Sequence, residues 1–145
     1  LPLHDTDSRK IGKTMTLTAA VGIAQAFDGR EAGIQATHQA LKKLGMATPS
    51  LAIIVASRYY DPKKIADSVS SLLGDTPTIG FSSASALTKD GQIKNSVAVA
   101  LISSPEIKAT ERWMPGYAQS GRETATLLSE LASATEAENK KILFF

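Results

Sequence analysis

A chain of 145 residues, 43% apolar and 21% charged, has the size and composition of one globular domain, too short for two and too apolar for disorder. Sixteen Lys and Arg against fourteen Asp and Glu leave a net charge of +2, which cannot build the positive field that phosphate-backbone binding needs, so no nucleic-acid partner is expected. The absence of cysteine excludes disulfides, thiolate metal sites and cysteine nucleophiles and fits the cytosol, and apolar runs such as residues 51–56 fall far short of the roughly twenty residues of a membrane span, so no membrane is expected.

Residues 1–14 mix Pro2, Asp5, Asp7, Arg9 and Lys10 without apolar periodicity and are expected to form an arm, upstream of or added to a natural start at Met15. Residues 15–145 are expected to form one α/β domain. The small and β-branched run 16–24 predicts a buried strand. Asp28 followed by Glu31 has capping-box spacing and predicts a helix start, with Gly45 as its C-terminal cap. Along that helix Ile34, Leu41 and Leu44 form one inward stripe and Ala32, Ala36 and Ala40 another.

Residues 51–56 are apolar on both faces, which suits the middle of a parallel sheet. Asp61-Pro62 starts a second helix that stops at Gly74, and residues 77–81 make a short strand. Two strand-helix-strand crossovers in succession predict neighbouring parallel strands. Asp90-Gly91 marks an antiparallel hairpin, and residues 95–102 form a second strand apolar on both faces. Residues 106–113 alternate in the manner of a half-exposed strand, and Ser120 to Glu123 is a capping box for a third helix with Leu127, Leu128 and Leu131 inward. The expected fold is a mixed sheet with parallel crossovers plus an antiparallel hairpin, helices packed on the sheet. Residues 142–145 begin a further strand whose Leu-Phe-Phe ending implies that more chain follows. Gly29-Arg30-Glu31 recurs as Gly121-Arg122-Glu123, either a shared cap solution or a duplicated strand-helix-strand unit.

Ligands of such sheets gather where strand ends meet helix starts. Two loops qualify. Arg58, Tyr59, Tyr60 and Asp61 offer a cation, two rings and a carboxylate; Phe81, Ser82, Ser83 and Ser85 offer a ring and hydroxyls. Together they suit a zwitterion, with Arg58 and the serines on a carboxylate and Asp61 facing an ammonium. Against this, Asp61 serves equally as a helix cap, the tyrosines as packing and Arg58 as a solvated charge. Gly80-Phe81-Ser82-Ser83-Ala84 approaches a nucleophile elbow, but Ala84 replaces its last glycine and both histidines, His4 and His38, precede the serine, so a serine hydrolase ranks low. His38, placed by helical geometry beside Ile34 and Leu41, is a core-edge residue or, alternatively, an axial haem ligand. No other metal motif is present. The sequence around Trp113, Met114 and Tyr117 is the place for a protein partner.

The order of these motifs resembles the N-terminal FIST domain: Asp28-Gly29-Arg30-Glu31-Ala32-Gly33, a helix containing Gln and Ala, residues 51–57 followed by Tyr60-Asp61, residues 77–84, a glycine turn and residues 96–100. The resemblance spans about residues 17–145. It implies a bacterial, cytoplasmic sensory module of signal transduction, without catalytic activity, that binds small ligands such as amino acids. It also implies a C-terminal FIST domain or a signalling output domain as partner. Some relatives bind haem and report nitric oxide, which makes haem on His38 the alternative. Ser85-Ala86 stand where the family commonly has Gly and a polar residue, a change that bears on the ligand more than on the fold. The family is longer than this chain, so the domain is expected to be incomplete at its C-terminus.

Overall fold

The computed structural model describes residues 16–113, 117–134, 136–137 and 139–143; the expected arm and Met15 lie outside them. In chain order the elements are β1 (Thr18–Ala24), α1 (Gly29–Leu44), β2 (Leu51–Ser57), α2 (Pro62–Leu73), β3 (Thr78–Ser83), β4 (Ser85–Thr88), β5 (Gly91–Lys94), β6 (Val97–Ser103) and α3 (Tyr117–Ala134). The main sheet has the order β1-β6-β2-β3, with β2 and β3 parallel and β6 antiparallel to both β1 and β2; β4 and β5 form a separate hairpin. The α/β class, the crossovers and the hairpin are therefore as the sequence predicts.

The expected adjacency of the first two strands is corrected. β6 returns between β1 and β2 and pairs with both over their length. Its burial alternates, with Val97, Val99 and Leu101 completely buried beneath the helices and Ala98, Ala100 and Ile102 half-buried on the other face. Complete burial of each of those three side chains contributes about 1.5–3 kcal/mol, which makes β6 the apolar centre of the sheet.

The steps from β1 to β2 and from β2 to β3 run the same way across the sheet, so right-handed crossovers put α1 and α2 on one face. There the helices meet closely enough that a methyl group at Gly33 would lie 2.3 Å from Ser68 Oγ. The other face carries Ile53, Val55 and Ile79, all half-buried, with Val21 44% and Phe81 40% exposed.

Both helix starts and stops follow the local chemistry. Asp28 accepts from the Glu31 amide at 2.9 Å and Asp61 from the Lys63 amide at 2.9 Å, while Gly45 and Gly74, both at positive φ, return their amides to Leu41 and Ser70. The capping box at α1 is half formed, because Glu31 accepts from Gln35 on the next turn at 2.9 Å.

Of the two stripes expected to be covered on α1, the alanine one is completely buried at Ala32, Ala36 and Ala40, while the other is buried at Leu44 and only half-buried at Ile34 and Leu41. The cause lies in β1: an added Cβ at Gly22 would stand 1.9 Å from Ala36 O and 2.7 Å from Ala40 N, so the helix backbone rests on the strand itself. Only a glycine opposite alanines permits that approach. At this short distance α1 also shields the sheet edge, with Gln39 Oε1 accepting from Ile23 N at 3.3 Å and Lys43 Nζ donating to Val21 O at 2.7 Å.

Further along, three expectations change. The hairpin turn is Lys89-Asp90 rather than Asp90-Gly91, with Gly91 at φ +117 opening β5 opposite Thr88. Residues 106–113 are irregular: their alternation supplies two faces but no ladder partner, and the Ile107 amide turns back to Ser104 O at 3.2 Å. The third helix begins at Tyr117, three residues before the expected cap, and Ser120 breaks it with non-helical angles (φ −134, ψ 43). On it Thr124 is buried while Leu127 is 48% exposed, so the inward face is turned from the expected one; Leu128 and Leu131 are half-buried. Residues 142 and 143 are exposed and not in a strand, and 144 and 145 lie outside the described residues.

The Gly22 contact yields a direct prediction. Gly22→Ala forces backbone against backbone and lowers unfolding free energy by about 3 kcal/mol, at the upper end of ordinary overpacking costs, as measured by urea denaturation.

Candidate functional site

The carboxyl end of β2 is held from both sides. Ser57 N donates to Ser96 O at 2.8 Å and Arg58 N donates to Ser83 O at 3.0 Å, extending the ladders to β6 and β3 by one residue each. The chain then turns, with Tyr60 N donating to Ser57 O at 3.0 Å, before Asp61 caps α2. Beside this turn lies an open cleft of about 410 Å³ lined by Ser57, Arg58, Tyr59, Ala84 and Asn95. Ala84 and Asn95 are the two stalks from which the β4–β5 hairpin projects. The convergence of the β2 and β3 loops that the sequence implies is thus present.

The predicted residues divide by position. Arg58 and Tyr59 line the cleft and are exposed, and neither guanidinium nor phenol has a hydrogen-bond partner among the described residues. Tyr60 is 6% exposed and faces inward. Its hydroxyl lies 2.8 Å from both Ala26 O and Asn95 O, which share its single proton, and accepts from Ala26 N at 3.2 Å. It ties the end of β1 to the start of β6 beneath the cleft, and its ring meets Tyr59 edge-on at 5.3 Å between centroids. Asp61 is exposed at the α2 cap and is not among the lining residues.

On β3, Ser82 pairs with Ala56 and shares its helix-side face, while Phe81 pairs with Val55 on the opposite face. Ser83 Oγ donates to Ser85 O at 2.9 Å, and Ser85 Oγ accepts from Gln92 at 2.7 Å, so these two serines shape the hairpin neck beside the cleft. Ser82 lies inside a regular strand followed by a hairpin, not on a strand-to-helix turn; the elbow geometry a serine hydrolase would need is absent there. His38 is exposed on α1, because the alanine face is the buried one, and this corrects its expected place at the core edge.

Asn95 is the residue the sequence reading missed. It stands at φ 46, a left-handed position that Asn tolerates better than most residues, and its side-chain amide has no partner among the described residues. A polar asparagine as the first residue of the expected strand 95–102 was the available signal. At the α2 start, Lys63 donates to Asp67 at 2.6 Å, and that hydrogen bond, reinforced by the carboxylate's charge, raises its ammonium above the ordinary 10.5. Trp113 is 85% exposed; Met114 lies outside the described residues, as does the side chain of Tyr117.

A second, shallower cleft of about 550 Å³ opens at the other end of the sheet, between Pro49, Leu73, Pro77 and Ile107. There the Ser50 hydroxyl donates to Ser104 O and the Thr76 hydroxyl to Leu73 O. Among the described residues no group of three or more His, Cys, Asp or Glu could hold a metal ion, and no helix is long and apolar enough to cross a membrane.

The model of the FIST N domain matches residues 50–145, which hold β2, β3, the hairpin and the whole cleft lining. The chain belongs to the FIST N domain family. That family is a sensory family of signal transduction. No curated protein matches the chain. Among solved structures, this FIST domain is similar to the FtsZ W319Y mutant of M. jannaschii, at 16% identity and TM-score 0.43, over 61% of this chain and 27% of that one. It is also similar to the empty FtsZ dimer of M. jannaschii (15%, TM-score 0.39, 68% and 33%) and to Bacillus thuringiensis serovar israelensis TubZ in GDP-form protofilaments (12%, TM-score 0.42, 81% and 32%). It spans about a quarter to a third of the length of those chains.

The Tyr60 knot makes a prediction of its own. Tyr60→Phe strips a shared partner from Ala26 and Asn95 and lowers stability by about 1–3 kcal/mol. Faster amide exchange at Ala26 in the variant, read by NMR, locates the loss.

Proposed function

We propose that this FIST domain senses a small metabolite in the cleft at the carboxyl ends of β2 and β3, and that the metabolite carries a carboxylate, amino acids and their acid relatives being the first class to consider. The observation that supports this reading is that Arg58, Tyr59 and Asn95, three side chains whose polar groups have no hydrogen-bond partner among the described residues, border one cavity. Arg58 would pair with the carboxylate in two parallel hydrogen bonds, Asn95 would add a directional amide, and the Tyr59 ring would cover the apolar part. Ser82, Ser83 and Ser85 would act through the shape and polarity of the hairpin neck, and Phe81, Tyr60 and Asp61 as supports.

The signal would pass through the hairpin. A ligand that touches the β2 turn on one side and Ala84 and Asn95 on the other has different contacts for each position of the hairpin, and that difference in affinity shifts the population of conformers. A C-terminal FIST domain or an output domain in the same protein would feel that shift.

A thermal-shift screen of free amino acids and organic acids tests the proposal. A true ligand at a hundred times its Kd stabilises by about 2.7 kcal/mol, and Arg58→Ala removes that gain while leaving the unliganded melting temperature unchanged. Asp61→Ala does the reverse, costing about 1 kcal/mol for the lost cap and keeping the ligand response. Stabilisation that survives Arg58→Ala contradicts the assignment.

A further inference from the structure

The rim of the cleft is unequal in its hydrogen-bonding groups. On the donor side, Ser57 is 4% exposed, and its Oγ accepts from Tyr59 N at 3.3 Å, but nothing among the described residues takes its own proton. The Arg58 guanidinium, the Tyr59 hydroxyl and the Asn95 amide are likewise without partners there, so four neighbouring residues have N–H or O–H groups to give.

On the acceptor side, four backbone carbonyls around the rim are already in use. Ser57 O accepts from Tyr60 N, Ser83 O from Arg58 N, Ser96 O from Ser57 N and Asn95 O from the Tyr60 hydroxyl. The lining contains no carboxylate. Asp61, the acid closest in sequence, is committed to the α2 cap, where it accepts from Lys63 N at 2.9 Å. A cationic group entering this cleft would meet Arg58 with no opposing charge, an arrangement that costs free energy. The acceptors left to it carry no countercharge: Asn95 Oδ1, the hydroxyl oxygens and the backbone carbonyls of Arg58, Tyr59 and Ala84.

Resting on the reading of this cleft as the ligand site, we infer that it selects a small organic acid without an ammonium group, such as a 2-oxo acid, over the amino acid of the same skeleton. The carboxylate sits on Arg58 and the Ser57 hydroxyl. The keto oxygen takes the place of the amine and accepts from the Asn95 amide or the Tyr59 hydroxyl, so one substitution in the ligand turns an unmatched charge into a matched acceptor.

Isothermal titration of the full chain with three matched pairs tests this: pyruvate and L-alanine, 2-oxoglutarate and L-glutamate, phenylpyruvate and L-phenylalanine. The expected result is that in at least one pair the 2-oxo acid binds more than tenfold tighter. Arg58→Gln should weaken that binding at least tenfold with unchanged circular dichroism, and Arg58→Lys should restore part of it. Equal or tighter binding of the amino acid, still weakened by Arg58→Gln, overturns the selectivity and leaves the cleft as a ligand site. Binding indifferent to Arg58→Gln overturns both. Silence from all three pairs overturns the selectivity, while the broader thermal-shift screen decides the cleft separately.

Discussion

Two backbone hydrogen bonds, from Ser57 N to Ser96 O and from Arg58 N to Ser83 O, fix the geometry on which the candidate site depends. They clamp the last residue of β2 and the first residue of its loop between β6 and β3. Arg58 therefore leaves the sheet from a rigid base rather than from a free loop. The Tyr60 hydroxyl closes the same region from below by bridging Ala26 and Asn95. A mobile turn would present the same side chains in many arrangements, and the entropy of ordering them would weaken any ligand.

Beneath that rim the domain is built around contact between small residues. Gly22 lets α1 lie on β1, Gly33 lets it meet Ser68 of α2, and the alanine face is buried as a consequence. The helix turns its larger Ile34 and Leu41 toward the margin and leaves His38 exposed. Close backbone approach thus decides the orientation of α1 more strongly than the size of its apolar side chains. The haem alternative depended on the opposite orientation, with His38 beside an apolar slot.

Much of the fold was legible in local sequence. Helix caps at Asp28, Asp61, Gly45 and Gly74 act over three or four residues, and strands apolar on both faces announce burial. The parallel pairing of β2 with β3 followed from the short crossover between them. What the sequence did not disclose were the long-range choices. Residues 51–56 and 97–102 have nearly the same apolar character, and nothing local says that the second inserts between β1 and β2. The alternation of residues 106–113 looked like a strand because alternation specifies faces and not a partner. At the candidate site, Arg58 and Tyr59 were found from residue type at a strand end. Tyr60 was assigned to the ligand because its three backbone partners are distant in sequence, and Asn95 was overlooked because its left-handed backbone and its place on a hairpin stalk emerge only in three dimensions.

The charge pattern of the cleft links this architecture to sensing. The carbonyls of Ser57, Ser83, Ser96 and Asn95 hold the rim together and are already engaged, and the cavity lining carries one cation, neutral polar groups and no carboxylate. The most direct measurement is a 15N–1H correlation spectrum of the full chain, titrated with the metabolite that most raises its melting temperature. The account predicts shifts concentrated at residues 57–59, 83–85 and 94–96. Shifts confined to residues 48–50, 75–77 and 107–109, at the opposite end of the sheet, would contradict it.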